Sequence, residues 1–129
     1  MKMVLTALAF AGAATSAQAE NACPSGNVAV VRISSIKPTG SMAGFREAAT
    51  EHAKWYKSHG YKDEFTIAPL LIYDQATNSL KAVPNKVMTI HARSSQVPSD
   101  KQDAGWAAYV AKYQANSEIE TTTLVCLER

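Results

Sequence analysis

His52, Tyr56 and His59 follow one another at spacings of four and three residues, so an α-helix through this stretch sets them along one face. Met42, Phe45 and Ala49 extend the same stripe upstream. His52 stands where a purely structural helix usually carries Leu or Ile, and Ala48, Ala49 and Ala53 leave space beside it. An imidazole with an unperturbed pKa of about 6.5 exchanges protons close to neutral pH, which makes His52 the candidate general acid or base. The alternative is a core histidine satisfied by a backbone carbonyl or a water. Tyr56 reaches the same space, either as a donor that orients a ligand carbonyl or hydroxyl, or as packing with its hydroxyl at the rim. His59 falls in the last turn, where the helix dipole favours a partly charged imidazole and a capping role accounts for it.

Arg32 and His91 belong to two strand-like segments, and by alternation both point away from the more apolar face. On a lone sheet that is a solvated polar face. Enclosed between two packed sheets, the arginine needs an acid, water or an anionic ligand. The inner strand positions beside them carry no acid. Trp55, Trp106, Tyr109 and Tyr113 are either core or the lining of a pocket for a flat, largely apolar molecule. The candidates are therefore His52 and Tyr56 for catalysis, and Trp55, His59, Arg32, His91 and Trp106 for ligand binding.

Other chemistries lack their residues. His52 and His59 are separated by about 10 Å along a helix rising 1.5 Å per residue, too far to chelate one ion together. A site that also used His91 would need the two elements to converge. Neither Cys23 nor Cys126 has the close partner spacing of a zinc or thioredoxin-type motif. Pro38-Thr39-Gly40-Ser41 has one glycine and matches neither a phosphate loop nor a nucleophile elbow. No metal is expected, and no cofactor follows from these residues.

The elements that must position these side chains alternate along the chain. Asn27–Ser35 is β-branched and mostly apolar, as in a central strand, and Lys37-Pro38-Thr39-Gly40 ends it. A helix runs from Ser41, as N-cap, to His59, with Gly60 closing it. Phe65–Tyr73 is a second strand, in which Pro69 argues for an edge position or a bulge. A turn region covers Asp74–Pro84 with its tip at Thr77-Asn78-Ser79. In the third strand, Asn85–Ser94, Met88, Ile90 and Ala92 share one face and Val87, Thr89, His91 and Arg93 the other. Ser99, with Gln102 in the capping-box position, starts a second helix whose stripe is Trp106, Tyr109, Val110 and Tyr113. Glu120–Leu127 is a last strand. This order gives an α+β, ferredoxin-like βαββαβ fold: a four-stranded antiparallel sheet with two helices on one face.

Met1-Lys2-Met3, the apolar run Val4–Ala14 and the small-residue end Thr15-Ser16-Ala17-Gln18-Ala19 have the form of a signal peptide. The run is too short to span a bilayer, which takes roughly 20 residues. The expectation is a signal peptide over 1–19 and one α+β domain over 20–129, exported, and periplasmic if the source is a Gram-negative bacterium. In an oxidising compartment Cys23 and Cys126 are expected to be bonded to each other. The topology agrees, because it sets the start of the first strand beside the end of the last. The whole chain has a net charge of +2, with lysines scattered among acids, so nothing points to nucleic acid or a membrane surface.

The strand ending in Ile36-Lys37-Pro38-Thr39-Gly40-Ser41, the helix Phe45-Arg46-Glu47-Ala48-Ala49 through His52, and its close at Ser58-His59-Gly60-Tyr61 resemble the dimeric α+β barrel superfamily. That group includes antibiotic-biosynthesis-type monooxygenases, stress-responsive barrel proteins and related lyases and cyclases. The resemblance implies a homodimer with its two sheets facing each other, and a pocket between helices and sheet in each subunit. It further implies cofactor-free acid/base chemistry of lyase, isomerase or oxygenase type on a small apolar, aromatic or carbonyl-bearing molecule. Some barrel relatives bind haem in that place. The alternative is a non-catalytic binding or accessory module acting through its dimer surface.

Overall fold

A computed structural model describes residues 22–128, so the signal-peptide segment lies outside the described residues. The chain forms β1 (Val28–Ile36), α1 (Met42–Ser58), β2 (Glu64–Asp74), β3 (Ser79–Ala92), α2 (Ala104–Asn116) and β4 (Ser117–Cys126), with a 3₁₀ turn at Ser99–Lys101. The strands make one antiparallel sheet in the order β2-β3-β1-β4. This is the ferredoxin-like α+β fold expected from the element order. β2 is an edge strand and its pairing slips between Pro69 and Leu71, so the proline sits at an edge and at an irregularity together.

Local chemistry sets the element ends. The Ser41 hydroxyl accepts from the Gly44 N–H at 2.9 Å and starts α1. Gly60, at φ +73°, turns the chain out of the helix behind His59. The cap of α2 differs from expectation: Asp103, not Ser99, accepts from the Trp106 N–H at 3.0 Å, while Ser99–Lys101 forms the 3₁₀ turn. A carboxylate near the emerging helix is favoured by both its oxygen and its charge. The expected turn over Asp74–Pro84 is also shorter. Asn78, at φ +49°, makes a tight reversal and β3 begins at Ser79. Cross-strand pairing from Asp74↔Ser79 to Leu71↔Ala82 overrides the local turn preference.

α1 buries Phe45, Ala48, Ala49, His52, Trp55 and Tyr56. The half-buried side chains of α2 gather around Tyr109, which is buried. Gly40 and Gly44 admit the end of α2: a β-carbon at Gly40 would lie 2.4 Å from the Asn116 backbone. Asn116 bonds there to the Lys37 N–H through its carbonyl and to the Ser41 N–H through Oδ1. Cys23 and Cys126 form a disulfide at a Cα separation of 5.3 Å, beside the pairing of Val28 with Cys126. Among the described residues no helix is long and apolar enough to cross a membrane.

The helices cover the face of the sheet that carries Arg32, Ser34, Val87, Thr89 and His91, since His52 of α1 lies 5.2 Å from His91, ring to ring. Register confirms one common face, pairing Arg32 with Thr89 and Ser34 with Val87. Arg32 and His91 therefore line neither a space between two sheets nor a solvated face. The more apolar side, with Val31, Ile33, Met88 and Ile90, is covered by no helix among the described residues. These four side chains are only half-buried.

Candidate functional site

Between the two helices and the polar face of the sheet lies a cavity of about 800 Å³. Val28, Val30, Phe45 and Val110 make part of its wall apolar, and Arg32, His52, Tyr56, Thr89, His91, Trp106 and Tyr113 supply its polar groups and rings. A cavity of this size with a few convergent polar groups suits a small ligand.

Two polar side chains of its wall, His52 and His91, meet a third, Asp63, which does not itself line the cavity. His52 comes from the middle of α1, Asp63 from the connection into β2, and His91 from the end of β3. Asp63 Oδ2 lies 3.5 Å from His52 Nε2 and 3.5 Å from His91 Nδ1. The Ser94 hydroxyl donates to Asp63 Oδ1, whereas Oδ2 is buried and accepts no hydrogen bond. His52 Nδ1 and the Tyr113 hydroxyl are 3.4 Å apart. Tyr109 stacks on the His52 ring at 4.7 Å with an 8° tilt, and Phe65 and Tyr56 close further sides at 5.4 and 4.8 Å.

This enclosure sets the protonation state. Burial, helped by the neighbouring His91 and Arg32 and opposed by Asp63, brings the His52 pKa down to about 4, so the ring is neutral at pH 7. Burial alone would raise the Asp63 carboxyl. The His91 and Ser94 groups and the charge of the two imidazoles outweigh it and hold the acid below its ordinary value. Burial raises the Tyr56 hydroxyl, so Tyr56 is available as a donor. Arg32 makes no ion pair among the described residues.

Of the expected site residues, His52, Tyr56, Arg32, His91 and Trp106 share the cavity, but Trp55 and His59 do not line it. Those two form a clasp between the helices. The Trp55 indole N–H donates to Asp103 Oδ1 at 2.7 Å, and His59 contacts the Trp55 carbonyl at 2.8 Å and Asp103 Oδ2 at 3.0 Å. The hydrogen bonds from the Trp106 backbone and the Trp55 indole bring the Asp103 pKa down to about 2. His52 and His91 converge, as a site using His91 requires, while His59 stands apart at Asp103, and Asp63 is the acid missing from the strand positions. One signal for Asp63 was present: strand alternation carried two residues back from Phe65, which pairs with His91, places it on the same face.

The fold and the site define a ferredoxin-like α+β protein with an imidazole–carboxylate cluster beside a helix-to-sheet cavity. No protein-family model and no curated protein matches the chain.

Proposed function

We propose that this is an exported member of the dimeric α+β barrel group that binds, and transforms by acid/base chemistry, a small, largely apolar molecule bearing a carbonyl or carboxylate. The observation that carries this reading is that His52 and His91 of the cavity wall share the Asp63 carboxylate, 3.5 Å from each, in a cavity that also holds an arginine with no acidic partner among the described residues. With the Nε2 proton directed at Asp63, His52 Nδ1 is the basic nitrogen, and a ligand that displaces the long 3.4 Å contact from the Tyr113 hydroxyl can give it a proton from carbon next to a carbonyl, leaving the electron pair on the carbonyl oxygen. The Arg32 guanidinium offers charge-assisted donors to that oxygen or to a carboxylate, and Asp63 offsets the imidazolium formed. Tyr56 orients the ligand.

A panel of aromatic and aliphatic ketones and keto acids, screened by thermal shift beside native mass spectrometry of co-purified molecules, tests this. Arg32→Gln is expected to weaken binding of an acidic hit by about tenfold or more, since a hydrogen bond to a charged group contributes about 1.5–3 kcal/mol. His52→Gln is expected to lower turnover by ~10²–10⁴-fold. If no compound binds, or if Arg32→Gln binds acidic hits as tightly as the wild type, the reading fails.

The uncovered apolar face supports a second reading, a non-catalytic module acting through a dimer surface. Two copies packed over Val31, Ile33, Met88 and Ile90 would cover that stripe, as in a two-sheet barrel. Light scattering at micromolar concentration is expected to return a dimer, and Ile90→Lys a monomer. A wild-type monomer would remove the barrel arrangement.

A further inference from the structure

We propose that His52, Asp63 and His91 bind one divalent transition-metal ion, zinc or ferrous iron, at the wall of the cavity. One ligand atom from each of the three residues lies within 4.8 Å of the other two, and Asp63 Oδ2 is 3.5 Å from both His52 Nε2 and His91 Nδ1. Bonds of about 2.0–2.1 Å to a tetrahedral ion place ligand atoms roughly 3.3–3.4 Å apart, so two of the three edges are near their final length. The three side chains come from three segments far apart in sequence, so their meeting is a product of the fold rather than of local spacing.

The oxygen aimed between the imidazoles is also the one left over. Asp63 has a side chain only 3 % exposed, and its Oδ2 accepts no hydrogen bond from the described residues. A buried carboxylate oxygen without a partner is unfavourable, and a cation between the two imidazoles would relieve it. The atoms behind the ligands are held in the way metal ligands usually are. Ser94 donates to Asp63 Oδ1, and Tyr113 engages His52 Nδ1, which leaves Oδ2 and Nε2 facing each other.

Two imidazoles and one carboxylate favour zinc or ferrous iron over calcium and magnesium, which prefer oxygen donors throughout. Because His52 and His91 both belong to the cavity wall, an ion on them keeps coordination positions towards the cavity. In that state the imidazole lone pairs are taken up by the ion, and His52 is a ligand rather than a base. The ion would polarise a carbonyl oxygen directly. This consequence for activity rests on the ligand reading of the cavity, whereas the ion site does not.

The test uses the disulfide-bonded protein, stripped with chelator and desalted, then titrated calorimetrically with zinc chloride and, without oxygen, with ferrous sulfate. One ion per chain is expected, by heat and by native mass spectrometry. Asp63→Asn and His91→Ala are each expected to weaken binding by ~100-fold or more, and Ser94→Ala by about tenfold. His59→Ala, remote from the cluster, should bind as the wild type does. Asp63→Asn keeps the side-chain shape, and its thermal unfolding separates a lost ligand from a lost fold. Absence of binding by either ion, or wild-type affinity in both Asp63→Asn and His91→Ala, overturns the site. Repeating the ligand screen with and without the ion tells the two proposals apart: an ion bound with no organic ligand sinks only the activity, and the reverse sinks only the metal.

Discussion

Phe45→Ala is expected to destabilise the protein by about 3–5 kcal/mol, the usual range for removing a fully buried phenyl ring. Phe45 is 2 % exposed and meets the Tyr113 ring edge-on at 5.2 Å. Beneath α1 the other buried residues of its upstream half are Ala48 and Ala49, too small to close over the gap. For a domain of this size each kcal/mol corresponds to about 4–8 °C in the unfolding midpoint, so a fall of more than about 10 °C is expected. The variant should also disturb the site, because the Tyr113 hydroxyl engages His52 Nδ1 and Phe45 forms part of the cavity wall. Thermal unfolding followed by circular dichroism measures the first effect. A change smaller than about 4 °C would mean that Phe45 does not anchor the helix layer.

Loss of the Cys23–Cys126 bridge is expected to cost about 2–5 kcal/mol, by a different route. Phe45 acts through contacts in the folded state, whereas the bridge chiefly restricts the unfolded chain. It spans 103 residues of sequence, and in the chain-entropy model a loop of about 100 residues corresponds to about 4.7 kcal/mol. Little native distortion is set against this, because the β1–β4 register already brings Val28 opposite Cys126. Urea unfolding with and without reductant is the direct measurement, with a lower midpoint expected for the reduced protein. Equal midpoints, with both thiols shown to be free in the reduced sample, would contradict it. The double variant Cys23→Ala/Cys126→Ala should match the reduced protein rather than the oxidised one.

The two substitutions also probe what was legible in the residues. Phe45 lies on a stripe of period 3.6, and the stripe alone places it inward. The antiparallel pairing of β1 with β4 follows from element order, and with it the meeting of two cysteines at opposite ends of the domain. Boundaries were less legible where one local preference competes with another. Ser99 has the chemistry of a cap but Asp103 takes the position, and the turn residues after Asp74 yield to a hairpin that continues pairing to Leu71 and Ala82.

The site divided along the same line. His52 was conspicuous because an imidazole interrupts an apolar stripe, and Tyr56 follows from its spacing. Trp55 and His59 have equally suggestive types, but they clasp Asp103 and do not line the cavity. Asp63 was hidden because an acid in a helix-to-strand connection is ordinary until the strand it leads into is paired.

By itself the sequence determined how many helices and strands form and in what order, and that the order closes as a ferredoxin-like sheet, while their ends shifted by several residues at β3, α2 and β4. Periodicity and turn chemistry are local, and each is written in neighbouring residues. Which face of the sheet the helices cover was decided only in three dimensions. Alternation marks two faces without saying which one meets the helices, and here the more polar face does, carrying Arg32 and His91 under α1. That choice joins His91 to His52 across the layers and lets Asp63 stand between them. It leaves the more apolar face uncovered by any helix among the described residues.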